Sequence, residues 1–170
     1  FSFFQPNVFA AEKLYQKAFD FAGIDKSMNV LDLYSGTGTI TQVMASVANN
    51  ATGIEIVDEA VDKAIENAKL NEIENIDFLC GDVLEEIEKV RGDYDVIILD
   101  PPRAGITPES LEKIININPR KFVYISCNPK TQVDNLKTFI ERGYKVKKYE
   151  IFDQFPNSRH VETICLLTKK

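Results

Sequence analysis

The feature that most constrains this chain is the alternation of short apolar runs with segments of helical periodicity. Five apolar runs are typical of buried strands, at residues 29–35, 51–57, 76–80, 94–100 and 121–127. Between them, apolar residues recur at helical spacing, as in residues 58–71 and 131–143. Strands that alternate with helices predict a parallel sheet with helices on both faces. The chain is therefore predicted to be an α/β protein.

The C-terminal region departs from this alternation. Residues 144–152 and 161–169 both have strand-like patterns, and "DQFPNSRH" between them is too short for a crossover helix. Two strands joined in this way run antiparallel. The sixth strand is therefore predicted to run with the first five and the seventh to run backwards. The result is a seven-stranded, mostly parallel sheet with an antiparallel hairpin at its C-terminal edge.

Helix ends are marked by residues with known capping preferences. Asp58 and Thr107 are predicted N-caps, and Pro108 suits the first position of the helix that follows Thr107. Gly23 and Gly143 are predicted C-terminal stops.

Composition excludes several classes of protein. A chain of 170 residues is most simply one domain, and its net charge of −6 argues against binding nucleic acid by overall electrostatics. No apolar stretch reaches the roughly 20 residues that a membrane span needs. The three cysteines have neither disulfide nor zinc spacing, and His160 is the only histidine. We therefore expect a cytoplasmic protein without a metal site.

One acidic residue lies near the end of each of the first three predicted strands. "LDLYSGTGTIT" (31–41) is a strand, a glycine turn and a helix start, but Thr41 replaces the third glycine of a dinucleotide fingerprint. Asp32 would repel a pyrophosphate and attract an ammonium group. Glu55 is placed to accept hydrogen bonds from a ribose diol, and Asp82 to reach an adenine or a ribose edge. Each acid alone is equally compatible with a helix cap or a solvated loop, but the set fits S-adenosylmethionine.

The fourth and fifth strands end in two further motifs, "DPPRAG" (100–105) and "SCNP" (126–129). The prolines fix Asp100 at a strand tip, although a rigid turn with a capping acid is the alternative. Cys127 ends the neighbouring strand, and the reversed last strand brings Glu162 to the same rim. Burial is the common fate of a free cysteine. That interpretation fits Cys80 and Cys165 better, because both lie inside apolar strands.

A thiol and a carboxylate beside a methyl donor indicate a specific chemistry. Carbon 5 of uracil becomes nucleophilic once a cysteine thiolate adds to carbon 6, and a base then removes the carbon 5 proton. Cys127 suits the first role and Glu162 the second. Asp100 is placed to orient either the base edge of the uracil or the ammonium group of the cofactor.

Six segments together resemble the RNA uracil-5-methyltransferase family: "SFFQPN", "LDLYSGTGTIT", "GIEIV", "DPPRAG", "YISCNP" and "DQFPNSRHVE". The resemblance implies a Rossmann-like class I methyltransferase fold, with Cys127 as nucleophile and Glu162 as base. It also implies a set of residues that contact S-adenosylmethionine: Gln5, Tyr34, Gly36, Thr39, Glu55, Asp82 and Asp100.

The resemblance further implies an RNA substrate. The ending "HVETICLL" resembles members that modify rRNA and favours 23S rRNA over tRNA as the substrate. Residues 1–170 would be the catalytic domain, with an N-terminal RNA-binding region outside it. Two alternatives are a methyltransferase that acts on an amine and a binding module that has lost its chemistry. Arg103 counts against the first, because an amine methyltransferase is expected to have an aromatic residue at that position. His160 either orients the substrate or caps its loop.

Overall fold

The computed structural model describes residues 8–90, 93–153, 158 and 160–170, with only the backbone of residues 8 and 9. The strands are β1 (Asn29–Leu33), β2 (Asn50–Glu55), β3 (Ile76–Cys80), β4 (Val96–Leu99), β5 (Lys121–Ser126), β6 (Tyr144–Phe152) and β7 (Glu162–Lys169). The helices are α1 (Val8–Ala22), α2 (Thr39–Val47), α3 (Asp58–Leu70), α4 (Val83–Lys89), α5 (Pro108–Asn116) and α6 (Pro129–Glu141).

The strands form one sheet in the order β3-β2-β1-β4-β5-β7-β6. Strands β1 to β5 pair in parallel, and β7 pairs antiparallel with both β5 and β6. Strand β6 therefore runs with the first five strands, and β7 alone of the seven runs backwards. The predicted α/β class, the seven-stranded sheet and its antiparallel C-terminal hairpin are confirmed. Within that hairpin, β7 lies inside the sheet and β6 forms its edge.

The centre of the sheet contains the point at which the strand order reverses. Strands β1 and β4 are neighbours, but the chain continues from β1 to β2 on one side and from β4 to β5 on the other. The loops that follow β1 and β4 therefore diverge and leave a crevice beyond the carboxyl ends of the strands. Ligands of open α/β sheets bind in such crevices. The glycine turn and the DPPRAG motif lie on these two loops.

Two apolar cores cover the two faces of the sheet. One core packs α1 and α2 against the strands through residues such as Leu14, Phe21 and Met44. The other packs α4, α5 and α6 through residues such as Val83 and Ile114. We call these the α1–α2 face and the α4–α6 face. Because strand side chains alternate between the faces, every strand residue can be assigned to one of them.

An aromatic cluster holds α6 and β6 to β5. The Phe122 ring on β5 meets the rings of Phe139 and Tyr144 edge-on, with centroids 4.9 and 5.0 Å away. The Tyr144 hydroxyl donates to the carbonyl oxygen of Pro119 over 2.8 Å, so the one polar group of this buried cluster is paired. Such ring pairs each contribute about 1 kcal/mol beyond the area they bury.

Most predicted helix ends are confirmed, but the N-cap of α3 is not. The Thr107 hydroxyl accepts from the Ser110 amide over 3.2 Å, and Gly23 and Gly143 take positive φ values of 53° and 94°. Asp58, however, is the first residue of α3, and Val57 precedes it without a side-chain cap. The Asp58 carboxylate still favours the helix through its position at the positive end of the dipole.

The expected burial of both strand cysteines is half right. Cys165 on β7 is buried, as predicted, whereas Cys80 is exposed. Cys80 ends β3, which is an edge strand, and its thiol lies 3.5 Å from a carboxylate oxygen of Asp58. An apolar strand sequence does not bury a cysteine at the open end of a sheet edge.

The glycine turn supplies a test of the fold, because two of its glycines differ in their surroundings. A Cβ on Gly38 would lie 2.6 Å from Phe78 Cζ and 2.9 Å from Ala64 Cβ, whereas a Cβ on Gly36 would meet nothing within 4 Å. Both residues have left-handed φ values, of 75° and 53°. We expect Gly38→Ala to lower the free energy of unfolding by roughly 2–4 kcal/mol and Gly36→Ala by about 1–2 kcal/mol. Urea denaturation measures both, and equal losses would contradict this account of the turn.

Candidate active site

Five polar residues singled out from the sequence share the α1–α2 face of the sheet. They are Asp32, Glu55, Asp100, Cys127 and Glu162. On the same strands, residues an even number of positions away belong to the core under α1 and α2: Val30, Ala51, Ile98, Ile125 and Ile164. Side-chain alternation therefore brings the predicted cofactor acids and the predicted catalytic pair to one face, at one edge.

The glycine turn after β1 is preformed by backbone hydrogen bonds. The amides of Tyr34 and Ser35 both donate to the Ile54 carbonyl oxygen over 3.0 Å, and the Gly38 amide closes the turn onto Ser35. Tyr34 is half-buried and has a φ of 68°, which is uncommon for a residue with a Cβ. This conformation ends β1 two residues earlier than predicted and turns the chain into the crevice.

The Glu55 carboxylate braces this turn from the neighbouring strand. One oxygen accepts from the Gly36 amide over 2.9 Å. The other accepts from the amides of Ile56 and Val57 over 2.9 and 3.0 Å. The oxygen that accepts only from Gly36 has a second lone pair, so Glu55 keeps acceptor capacity for one ligand hydroxyl.

Asp32 is a buried acid with one oxygen in use. Its side chain is 1% exposed, and its Oδ2 accepts from the Thr41 hydroxyl over 2.6 Å. Its Oδ1 is buried without a hydrogen-bond partner among the described residues. Burial raises the pKa of Asp32 to about 7, with further raising from the charges of Asp100 and Glu55. Clustered carboxylates with raised pKa values favour a cationic ligand, because a positive charge would stabilise their ionised forms.

The remaining predicted cofactor residues have varied surroundings. Burial raises the pKa of the half-buried Asp100 to about 7. Thr39 is exposed at the first position of α2. Asp82 is exposed and caps α4, where its Oδ1 accepts from the Leu84 amide over 2.8 Å. Gln5 lies outside the described residues. The contacts predicted for these residues stay predictions.

The SCNP turn is a compact helix cap that presents Cys127. The Asn128 side chain accepts from the Lys130 amide over 3.2 Å, and Pro129 takes the first position of α6. The Ser126 hydroxyl meanwhile accepts from the Asn128 amide over 3.1 Å. The polar groups on either side of Cys127 are thus used within the turn, and the half-buried thiol remains at its surface.

The register of β5 and β7 sets Cys127 opposite Glu162. Ser126, the last residue of β5, pairs with Thr163, so Cys127 directly follows one member of the pair and Glu162 directly precedes the other. The two residues are close enough that the charge of Glu162 raises the pKa of the Cys127 thiol. Glu162 is 6% exposed, and burial, followed by the charge of Asp100, raises its pKa to about 7.

The Cys127 thiol is held mainly in its neutral form. Burial raises its pKa, and the charges of Glu162 and Asp100 raise it further. Arg103 is the cation that opposes this shift. The geometry therefore brings together a thiol, two acids and a guanidinium group.

A buried network on the α4–α6 face fixes the same register. The Gln132 side chain donates to the Tyr124 carbonyl oxygen on β5 over 2.9 Å. The Thr163 hydroxyl lies 2.8 Å from Gln132 Oε1 and 3.0 Å from the Ser126 carbonyl oxygen, so its single proton is shared between two acceptors. Gln132 and Thr163 are both fully buried. Helix α6, β5 and β7 are thus joined next to Cys127 and Glu162, the predicted catalytic pair.

The DPPRAG loop is fastened to the same helix. The Asn128 side chain donates to the Arg103 carbonyl oxygen over 3.2 Å, and Asn135 makes hydrogen bonds to both the amide and the carbonyl of Ile106. Arg103 Nη1 lies 3.3 Å from His160 Nδ1, which connects this loop to the segment before β7. His160 therefore contacts Arg103 at the rim of the site.

Sequence reasoning missed the residues that position this site. Asn128 has a detectable signal, because Asn before Pro is typical of a helix start. Gln132, Asn135 and Thr163 have none, since each is a single polar residue within an amphipathic segment. Their roles depend on which strands α6 packs against.

A family model for tRNA (uracil-5-)-methyltransferase matches residues 1–170, which is the whole chain. The chain belongs to this family. Among curated relatives, uncharacterized RNA methyltransferases from Clostridium tetani and Caldanaerobacter subterraneus subsp. tengcongensis are 50% and 46% identical to it. Both matches cover 99% of this chain but only 37% and 38% of the relatives, so the chain spans well under half of their length.

Solved structures support the fold expected of this family. The tRNA (uracil-54, C5)-methyltransferase of Pyrococcus abyssi, solved with S-adenosyl-L-homocysteine, superposes with a TM-score of 0.83 at 30% identity. That match covers 98% of this chain and 40% of the archaeal protein. Precorrin 8w decarboxylase of Methanobacterium thermoautotrophicum reaches a TM-score of 0.77 at 18% identity, which concerns the fold alone. The Rossmann-like methyltransferase fold is confirmed.

In the described ranges, no three His, Cys, Asp or Glu side chains are arranged to hold a metal ion. No helix in the same ranges combines the length and apolar character that crossing a membrane requires. The expectations of no metal and of a cytoplasmic location stay predictions.

The buried acids predict how stability depends on pH. Glu162 has a raised pKa in the folded state, so between pH 4.5 and about 7 the unfolded chain ionises while the folded protein still holds the proton. Stability must then fall as pH rises across this range and level off above it. We expect Glu162→Gln to remove a share of this fall, at most about 3 kcal/mol. Denaturant titrations from pH 4 to pH 8 measure the difference.

Glu88→Gln is the matched control. Its hydrogen bond from Lys113 lowers the pKa of the exposed Glu88 carboxyl, so this substitution should not flatten the fall in stability. An unchanged pH dependence in Glu162→Gln would show that Glu162 is solvated.

Proposed function

We propose that this chain transfers a methyl group from S-adenosylmethionine to carbon 5 of a uridine in RNA. The observation that supports the proposal most is the opposition of Cys127 and Glu162 across one antiparallel register, on the face that also carries the cofactor acids. Membership of the uracil-5-methyltransferase family points to the same chemistry. Because the chain covers less than half of its relatives, the activity is proposed for the full-length protein.

S-adenosylmethionine supplies an electrophilic methyl group on a positively charged sulfur. The residues of the crevice fit its charges, because Asp32 and Asp100 both have raised pKa values and Asp32 Oδ1 is buried without a partner among the described residues. Glu55 would accept from the ribose hydroxyls, and Tyr34 would present its ring to the cofactor. Gly36 leaves open space where a side chain would project, which allows a ligand to approach the backbone.

Cys127 would activate the uracil. Once its proton has passed to solvent, its thiolate sulfur would form a bond to carbon 6, and the electron pair of the carbon 5–carbon 6 double bond would move to make an enolate. Carbon 5 would then take the methyl group, whose bond to the sulfur of S-adenosylmethionine breaks and leaves S-adenosyl-L-homocysteine. Arg103 would favour the thiolate, because its charge lowers the pKa of Cys127 against the effects of burial and neighbouring acids.

Glu162 would complete the reaction as a base. Its carboxylate takes the proton from carbon 5, the double bond re-forms, and the carbon 6–sulfur bond breaks to release the Cys127 thiolate. A base is most effective when its pKa lies near the working pH, and the pKa of Glu162 is raised to about 7. A fully solvated glutamate would be a weaker base at neutral pH.

The class of RNA is the finer part of the proposal. The sequence ending favours 23S rRNA, whereas the family description and the archaeal relative both refer to tRNA. We retain 23S rRNA as the sequence-based preference. Methylation assays that offer unmodified 23S rRNA and unmodified tRNA to the full-length protein separate the two.

Covalent trapping tests the nucleophile. In RNA containing 5-fluorouridine, with S-adenosylmethionine present, carbon 5 of the methylated adduct bears fluorine in place of the proton that the base removes, so the thioether to carbon 6 should persist. We expect the unsubstituted protein to form an RNA adduct that resists denaturing electrophoresis, and Cys127→Ala to form none while still binding S-adenosyl-L-homocysteine. Cys80→Ala, at another accessible cysteine, is the control and should form the adduct normally. Methyl transfer by Cys127→Ala would contradict the mechanism.

Removing the base should stall the reaction after methyl transfer. With ordinary uridine RNA, Glu162→Gln should lower the turnover rate by roughly 100-fold or more, because general-base catalysis contributes about that factor. The variant should also accumulate a methylated covalent adduct. Mass spectrometry of the protein–RNA species measures it, and full turnover by Glu162→Gln would assign proton abstraction to another group.

A further inference from the structure

The charge of this chain is divided unevenly along the sequence. Residues 55–95 contain fourteen acidic and four basic residues, a net charge of −10. Residues 120–170 contain eleven basic and five acidic residues, a net charge of +6. The overall charge of −6 therefore conceals two regions of opposite sign. We call them the acidic half and the basic half.

The fold places these two halves at opposite edges of the sheet. The acidic half holds the end of β2, α3, β3 and α4, and β3 is one edge strand. The basic half holds β5, α6, β6 and β7, and β6 is the other edge strand. Cys127 and Glu162 belong to the basic half, so the catalytic pair lies on the side of the molecule that attracts anions.

Five exposed lysines of the basic half form what we call the lysine strip: Lys145, Lys147, Lys148, Lys169 and Lys170. They adjoin because Tyr144 pairs with Lys169 and the Lys170 amide donates to the Gly143 carbonyl oxygen over 3.0 Å. In the part of the chain that the structure describes, none of the five makes a salt bridge. Unneutralised lysines along an edge strand keep other strands away and leave their charge for a partner.

Part of the lysine strip shares the face of the catalytic pair. Lys145 and Lys148 pair with Thr168 and Leu166 on β7. These two residues lie an even number of positions from Glu162 and therefore share its face. Lys148 Nζ lies 4.9 Å from the centroid of the Phe21 ring, which holds it on the α1–α2 face. Strand β6 then runs on to Phe152, which pairs with Glu162. At a rise of about 3.3 Å per residue, Lys148 lies roughly 13 Å along β6 from Phe152, the partner of Glu162.

We propose that the lysine strip binds the phosphates of the RNA strand that carries the target uridine. This inference rests on the proposed function and adds the path of the substrate: the strand enters along β6 on the α1–α2 face and avoids the acidic half. RNA is favoured over a protein partner because a row of positive charges complements a polyanion and lies on the strand that ends beside the catalytic pair. The one acid of β6 between them on this face, Glu150, is paired with Lys17 over 3.2 Å. Phosphate contacts of this kind give affinity and register without reading sequence.

The test compares two triple substitutions in the full-length protein. One replaces Lys145, Lys147 and Lys148 by Gln, and the matched control replaces Lys63, Lys69 and Lys89, which lie on α3 and α4 of the acidic half. Both remove three positive charges. The probe is a short fluorescein-labelled single-stranded RNA, and its affinity is measured over a range of salt concentrations. Calorimetric binding of S-adenosyl-L-homocysteine verifies that each variant is folded.

We expect the strip variant to bind the RNA about 10- to 100-fold more weakly at low salt, and its slope of log affinity against log salt to be shallower by about 2. The control variant should differ little from the unsubstituted protein. With saturating 5-fluorouridine RNA, the strip variant should still form the Cys127 adduct. An RNA affinity of the strip variant equal to that of the unsubstituted protein would overturn the proposal. Equal losses of affinity in the two variants would also overturn it, because they would report net charge alone. A strip effect in a protein that methylates no RNA would instead overturn the proposed function and leave the binding surface standing.

Discussion

The antiparallel pairing of β5 with β7 is the constraint on which the site depends. A strand inserted backwards beside β5 begins where β5 ends, so a residue at its start meets a residue at the tip of its neighbour. That single register brings Glu162 to Cys127. The hydrogen bonds of Gln132 and Thr163 hold the register from the opposite face of the sheet. A slip by one residue would move either side chain to the other face and separate the pair.

The acids of the crevice lower the stability of the folded protein when they ionise, but their charge favours the binding of a cationic ligand. Asp32, Asp100 and Glu162 all have pKa values raised to about 7, so their ionised forms are disfavoured in the folded protein. A cationic ligand would relieve this cost for the two aspartates, whereas Glu162 retains a proton affinity suited to a base. Glu55 is different, because its carboxylate accepts from three backbone amides, which brace the glycine turn, and it keeps one lone pair for a ligand.

The division of charge resolves an apparent conflict between a negative chain and an anionic substrate. The acidic residues are concentrated around β3, beyond the cofactor crevice, and the unneutralised lysines line the opposite edge. A polyanion approaching this molecule would be oriented before it made contact. The direction of that field agrees with the location of Cys127, the proposed nucleophile.

The sequence by itself determined the α/β class, the reversed seventh strand and the motifs that carry the chemistry, because apolar periodicity and short connections are local properties. It misjudged Cys80, because its burial depends on which strand forms the sheet edge. It also misjudged Asp58, because α3 begins at Asp58 itself, one residue earlier than a cap at that position requires. The sequence also predicted that Glu162 lies near Cys127, but the tertiary structure alone decided that Gln132 and Thr163 lock the register that holds them together. These contacts join residues up to 37 positions apart in the chain, and only the pairing order of the strands specifies them.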